Sequence, residues 1–377
     1  MREVKVGFIG AGWMGCYHMT GYQGVRHAYG DTVCPVFEMV CDCNEEAAKA
    51  AAAKYGFHRR TTRWEDVIHD PAIELVVIAT PNDMHAPIAI AAAKAGKHIV
   101  CEKPMANALE DGKAMSEAVK AAGVCSLVDF IYRKMPGNVY ARDLIRAGKL
   151  GDIITYRGAF DCSYCADPST PSTWRQYASH AGTGALGDLT AHVISLSDML
   201  VGEEIIEVFA DWEAVYPTRP KAAGAADAVA VDTDDHIYAI VRYKNGRMGQ
   251  MSSSRISVGK PCALAYEIQG SQGTVKFDLT RLNEIQYYDG GTTGGERGFK
   301  TLKGNTFHGD YKAFCTTDEL GVSYADVMAI QAHDMLEAIV NGKQIDIDIP
   351  YGYYVDRVMA AMADSAKSGK WVAVRPY

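Results

Sequence analysis

The chain is 377 residues long, with 48% hydrophobic and 22% charged residues and a formal net charge of −8. That length carries two domains with cores of their own and the composition of an ordinary soluble globular protein, while the acidic balance excludes nucleic acid and anionic membrane as partners. No apolar run approaches the ~20 residues of a membrane-spanning helix. No signal pattern precedes the first strand, so the ten cysteines read as thiols of a reducing, cytoplasmic compartment.

The apolar run Val4–Ile9 reads as a buried parallel strand, and it breaks into Gly10-Ala11-Gly12-Trp13-Met14-Gly15, a G-x-G-x-x-G turn. Gly10 permits the tight turn, Gly12 lets backbone approach a pyrophosphate, and Gly15 lets the next helix pack closely. That helix, Met14 to about His27, aims its amides and positive dipole end at the phosphates. A second strand over Val36–Asp42 ends in Asp42, placed for the ribose 2′-hydroxyl of NAD. Asn44 caps an alanine-rich helix to Tyr55, with Glu45 and Glu46 in its first turn. Glu74–Ala79 is a buried strand ending in Thr80-Pro81-Asn82, where open α/β sheets place ligands. A helix over His85–Ala95, a strand over Lys97–Cys101 ending in Glu102-Lys103-Pro104, a helix from about Asn107 to Ala122 and a strand over Ser126–Phe130 complete a doubly wound parallel sheet.

Beyond Phe130 the pattern changes. After a helix of roughly Met135 to Ala147, strands dominate: Ile153–Phe160, Ile205–Val215, His236–Tyr243, Arg247–Ser254, Ala263–Gly270, Gly273–Leu279 and Glu284–Tyr288. Lys244-Asn245-Gly246-Arg247 is a two-residue hairpin signal. Pro217–Asp235 reads as a long loop, and helices over Tyr324–Asn341 and Gly352–Lys367 close the chain. The fold class is therefore α/β: a Rossmann domain at 1–130, an α+β domain with a large, mostly antiparallel sheet at 131–350, and a closing helix and tail at 351–377, able to pack back on the first. In His236–Tyr243 one face is Ile237, Ala239, Val241 and Tyr243. The opposite face, His236, Tyr238, Ile240 and Arg242, is mixed, and suits either solvent or a second subunit.

Two groups could carry chemistry. Lys103 stands at a strand's carboxyl end before a proline that restricts its backbone, so it is aimed; such a lysine hydrogen-bonds a hydroxyl and favours its deprotonation. Asp188 and His192, in Gly182-Thr183-Gly184-Ala185-Leu186-Gly187-Asp188-Leu189-Thr190-Ala191-His192, share one helical face. The pair could be a base with its orienting carboxylate, a structural hydrogen bond, or two metal ligands, and no third ligand is evident. Cys162-Ser163-Tyr164-Cys165 lacks the second pair a structural zinc wants, so no metal is expected.

The stretches Gly10–Gly15, Ala95–Pro104 and Gly187–His192 resemble the Gfo/Idh/MocA oxidoreductases, the glucose–fructose oxidoreductase and inositol dehydrogenase family. The similarity continues through Glu267–Leu279 and Ser365-Ala366-Lys367-Ser368-Gly369-Lys370. The resemblance implies Lys103, Asp188 and His192 as the catalytic trio. It implies a cofactor site formed by Gly10, Gly12, Trp13, Met14, Gly15, Asp42, Thr80, Pro81, Asn82, His85, Glu102 and Lys103. Substrate contacts would come from Tyr132, Arg133, Trp174 and Arg175 with the trio. It further implies an NAD-dependent dehydrogenase of a sugar, glycoside or cyclic polyol, assembled as a homo-oligomer (dimer or tetramer). NAD is expected over NADP because no arginine follows Asp42. Two relatives' chemistries stand as alternatives: oxidation or cleavage of glycosides with tightly bound, recycled NAD, and a non-enzymatic cofactor-sensing regulator.

Overall fold

The computed structural model describes residues 2–30, 33–304, 309–315 and 317–376. They form two compact units, Met1–Lys134 with Val322–Tyr353, and Met135–Gly321 with Tyr354–Tyr377. The stretch Val322–Tyr353 therefore joins the first unit, whereas the sequence placed residues 322–350 with the second domain and 351–353 with the closing helix.

The first unit begins β1 (Arg2–Ile9), α1 (Trp13–Tyr29), β2 (Val33–Cys41), α2 (Glu45–Tyr55), β3 (Arg59–Thr61), α3 (Trp64–His69), β4 (Leu75–Ile78), α4 (His85–Lys94), β5 (His98–Cys101), α5 (Leu109–Ala122) and β6 (Ser126–Val128). All six strands run parallel in the order β3-β2-β1-β4-β5-β6. The central strands are apolar throughout because helices cover both faces; all four residues of β4 are buried. Asn44 caps α2 by accepting from the Glu46 and Ala47 amides, as its sequence predicts. The order reverses beside β1, so the loops after β1 and β4 open a crevice at the sheet's carboxyl edge.

The second unit holds α6 (Pro136–Arg146), β7 (Ile153–Cys162), α7 (Ala178–Ala181), α8 (Ala191–Val201), β8 (Ile205–Glu213), β9 (Thr218–Pro220), β10 (Ala228–Ala230), β11 (His236–Tyr243), β12 (Met248–Ser254), β13 (Cys262–Gly270), β14 (Gly273–Asp278), β15 (Glu284–Asp289) and β16 (Phe299–Lys303). After α9 (Tyr324–Asn341) of the first unit and α10 (Ile349–Ser368), β17 (Val372–Ala373) completes a nine-stranded sheet ordered β16-β15-β14-β13-β7-β12-β11-β8-β17. Every pairing is antiparallel except β7 with β12. Ile237, Ala239, Val241 and Tyr243 of β11 are buried, while Tyr238 and Ile240 on the opposite face are 60% and 42% exposed. The stretch read as one loop, Pro217–Asp235, contains the small β9–β10 hairpin. No helix among the described residues is long and apolar enough to cross a membrane.

Candidate active site

At the head of the first unit, Gly10 has φ +101°, and a Cβ there would stand 2.3 Å from the Ala79 carbonyl oxygen. A Cβ on Gly15 would stand 2.1 Å from the Gly10 carbonyl oxygen, while no described atom lies within 4 Å of a Cβ built on Gly12. Two of the glycines are thus demanded by packing and the third leaves room above the helix start. No described side chain caps α1, and its first turn carries no acid. The Asp42 carboxylate accepts from the Ala11 amide (2.8 Å) and the Asn44 amide (2.9 Å). Each of its oxygens keeps accepting capacity for a ribose hydroxyl. Uncapped amides, an open approach and an adjacent carboxylate fit a dinucleotide. Gly10→Ala should raise the NADH dissociation constant about tenfold or more and lower thermal stability, since strain of ~1–3 kcal/mol arises at the turn itself. Fluorescence titration and melting check this, and unchanged affinity would contradict it.

Trp13 is largely exposed at the start of α1 and meets Tyr17 edge-on; Tyr17 in turn meets Tyr324, and so does Tyr132. Met14 follows Trp13 in the first turn of α1. Thr80, Pro81 and Asn82 follow β4 as read, and Asn82 is buried. His85 is fully buried between two loops, with Nδ1 3.0 Å from the Pro104 carbonyl and Nε2 3.1 Å from the Thr80 carbonyl. Burial holds its ring neutral, so one nitrogen donates while the other only abuts its carbonyl. The Arg133 guanidinium donates to the Tyr351 hydroxyl (2.9 Å) and Asp346 (3.0 Å), which makes it a brace within the unit.

Lys103 and Pro104, joined by a cis peptide bond, follow Glu102 just past the end of β5. The Glu102 carboxylate reaches His18 of α1, which also faces Asp129 beyond β6. Burial would lower the His18 pKa, but hydrogen bonds to Asp129 and Glu102 outweigh it and push it up to about 10. Burial and the Asp129 charge carry Glu102 to about 7, whereas His18 holds Asp129 well below the usual carboxylate range despite burial. Glu102 and His18 both hold protons in the fold that the unfolded chain releases earlier. The Glu102 share of stability is lost as pH rises from its ordinary range through about 7, and the His18 share as pH rises through about 10. The Asp129 share is present above its ordinary range and is lost on acidification. Unfolding free energy from denaturant titrations should therefore decline from about pH 5 to pH 10, and a rising profile would contradict this assignment.

In the second unit, the Asp234 carboxylate accepts from the Gly184 amide (2.6 Å) and the Leu186 amide (2.8 Å), fixing the glycine turn. Residues Leu186–Thr190 then form a π-helical turn that leads into α8. The sequence pattern predicts only an ordinary helix here; the wider turn changes how Asp188 sits relative to His192, and such turns recur at functional sites. His192 is buried, its ring 6.0 Å from that of Phe160. The Tyr164 hydroxyl donates to Asp188 Oδ2 at 2.6 Å, and Arg175 Nε lies 3.9 Å from the same oxygen. The Arg175 guanidinium also stacks on Trp174 at 4.3 Å. Asp188 is thereby gathered with Trp174 and Arg175. Sequence reasoning misses Tyr164, because it lies in an irregular stretch after β7 and no spacing marks it as a carboxylate partner. Tyr164→Phe should lower kcat about 10- to 100-fold with the fold intact, because hydrogen bonds to charged groups contribute ~1.5–3 kcal/mol. Unaltered steady-state kinetics would dismiss Tyr164 as a participant.

Residues 4–130 match the Gfo/Idh/MocA oxidoreductase family with NAD-binding Rossmann fold, and residues 139–276 match the Gfo/Idh/MocA C-terminal domain. Over 99% of both chains, this sequence is 36% identical to levoglucosan dehydrogenase of Pseudarthrobacter phenanthrenivorans. The chain belongs to the Gfo/Idh/MocA oxidoreductase family. Another member, scyllo-inositol 2-dehydrogenase (NAD(+)) of Bacillus subtilis, is 28% identical over 75% of this chain and 76% of its own. Among solved Gfo/Idh/MocA structures, levoglucosan dehydrogenase in complex with NADH and L-sorbose aligns over 100% of both chains with a TM-score of 0.96, and its complex with NADH and levoglucosan with 0.95. The family match and the glycine turn of this chain agree that its cofactor is NAD.

Proposed function

We propose that this Gfo/Idh/MocA protein is an NAD-dependent dehydrogenase acting on a secondary alcohol of a sugar, glycoside or cyclic polyol, with an anhydrosugar such as levoglucosan as the first substrate to try. The observation that carries the reading is the end-to-end likeness to levoglucosan dehydrogenase, including its complex with NADH and levoglucosan. The bound nicotinamide supplies the acceptor for the hydride leaving the alcohol carbon. In this reading His192 takes the hydroxyl proton, Asp188 stabilises the resulting imidazolium, and Lys103 donates to the oxygen as negative charge develops there. Tyr164 and Arg175 hold the Asp188 carboxylate in place.

The exposed Tyr238 and Ile240 on β11, with Ile206 on the neighbouring β8, support a homo-oligomer built on the open face of the large sheet. The thiol-rich composition suits a cytoplasmic protein. The deciding experiment supplies levoglucosan, inositols and glycosides with NAD or NADP and follows both reduced nicotinamide and products. Reduction of NAD by one sugar class supports the reading. Free sugar released from a glycoside without net NADH would replace it with the recycled-cofactor chemistry, and no turnover on any of them would overturn it.

A further inference from the structure

We propose that His18 is a positioning residue for this reaction: from α1 its imidazole clamps the Glu102 side chain, and through it the backbone that presents Lys103. The inference rests on the reading of Lys103 as the group that polarises the substrate hydroxyl.

His18 Nε2 lies 2.9 Å from Glu102 Oε1 and 3.4 Å from Asp129 Oδ2. The second Glu102 oxygen accepts the Lys103 amide at 3.2 Å. Asp129 Oδ1 accepts from Gln331 Nε2 of α9 at 2.7 Å. Main-chain bonds hold the carboxylates' own backbones: the Glu102 amide donates to the Ile78 carbonyl (3.0 Å) and the Asp129 amide to the Cys101 carbonyl (2.9 Å). One hydrogen-bonded chain therefore links the first helix, the ends of β5 and β6, and α9.

His18, Glu102 and Asp129 are 2%, 5% and 1% exposed. Three ionisable groups this deep are a poor way to gain stability, because desolvation offsets most of their attraction and apolar side chains of similar size would serve as well. What such a cluster does supply is a single geometry, since each member is satisfied only when the others are in place. Its location gives that geometry a use. His18 sits three residues after Gly15, on the helix whose start receives the phosphates, and its partner Glu102 is the residue before Lys103. Tyr22, one helical turn beyond His18, is buried and feels the Asp129 charge, which with burial raises its phenol well above the ordinary range. It thus stays neutral and leaves the clamp's charges to the triad. The three ligand-type atoms also lie within 4.8 Å of one another, a spacing open to a metal ion. Hydrogen bonds to the imidazole already account for it.

The test compares His18→Gln, Glu102→Gln and Lys103→Ala with the parent enzyme. Three readouts are taken: kcat and KM for the sugar, NADH affinity by fluorescence, and amide hydrogen exchange over residues 100–106 in the cofactor-free protein. His18→Gln should lower kcat about 100-fold, the scale of an ångström-level misplacement, with KM and NADH affinity changed by no more than about threefold. Exchange over 100–106 should quicken in the same variant while β8 and β11 keep their protection. Glu102→Gln keeps hydrogen-bonding capacity but loses the charge, so it should fall between parent and His18→Gln; it carries the test if His18→Gln does not fold. A His18→Gln protein that melts lower but keeps parental kcat and exchange overturns the inference. So does a stoichiometric divalent metal in the purified enzyme that disappears with His18. If Lys103→Ala keeps parental turnover, the reading beneath the inference fails. If Lys103→Ala collapses while His18→Gln and Glu102→Gln stay parental, only the clamp fails.

Discussion

His192→Ala and Lys103→Ala should each lower kcat by about a thousandfold, the middle to upper part of the range for a lost proton-transfer group, while NADH binding stays near parental. The two affect different features of the same transition state. In the proposed mechanism His192 is the proton acceptor, so its loss should also abolish the acid limb of the kcat–pH profile, where the base becomes protonated. In the same proposal Lys103 donates to an oxygen whose charge grows only as the proton leaves, so its loss should lower kcat and kcat/KM together and leave ground-state binding little changed. Neither variant touches the glycine turn or Asp42; His192→Ala removes one side chain from α8, and Lys103→Ala one from the turn after β5. Single-turnover measurements with NAD prebound isolate the chemical step. Parental kinetics in either variant would remove that residue from the mechanism; a loss confined to KM would recast it as a binding group.

How much of this could be read without a structure depended on which side chains faced what. The parallel sheet was legible because buried strands such as Leu75–Ile78 are uninterrupted apolar runs between helices. Its edge strand β3, Arg59-Arg60-Thr61, was not, and neither was β16, Phe299-Lys300-Thr301-Leu302-Lys303. Edge strands carry charge to discourage further pairing, and that erases the alternation by which a strand is recognised. The return of Val322–Tyr353 to the first unit was hidden for another reason: α9 shows which of its faces is apolar but not which core that face meets.

The site was legible where chemistry is tied to a position on the sheet. Asp42, Thr80 and Lys103 are found by asking which polar residues close a parallel strand. Applied further, the same rule would have exposed the clamp, since Glu102 and Asp129 end neighbouring strands and their side chains must converge at one edge. His18 then stands on the helix that starts from the glycine turn. The partnership of Tyr164 with Asp188 had no such marker, because it depends on the path of an irregular loop. The π-helical turn before His192 was equally silent, being a matter of one extra backbone residue per turn rather than of side-chain type.

The largest loss of stability is expected at Arg255→Ala, about 3–5 kcal/mol in denaturant unfolding. Arg255 and Asp235 form an ion pair at 2.9 Å with side chains 1% and 0% exposed. The Asp235 carboxylate also accepts the Tyr216 amide (3.0 Å), so it is anchored and cannot turn to solvent when its partner is removed. The guanidinium further donates to the Thr233 hydroxyl (2.9 Å) and the Arg175 carbonyl (3.2 Å). A lysine could restore the charge but not this fork, so Arg255→Lys should recover only part of the loss. Removing both charges in Arg255→Met/Asp235→Leu should cost less than Arg255→Ala alone, because the deficit comes mainly from a carboxylate left buried and unpaired. The damage should extend to turnover. Asp234, next in sequence to Asp235, holds the Gly184 and Leu186 amides that set the turn before Asp188 and His192, and a Cβ on Gly184 would stand 1.8 Å from the Asp234 carbonyl oxygen. With backbone packed that closely, a shift at the ion pair has no slack to absorb it before it reaches the turn that carries Asp188 and His192. A loss under about 1 kcal/mol for Arg255→Ala would mean the pair is incidental.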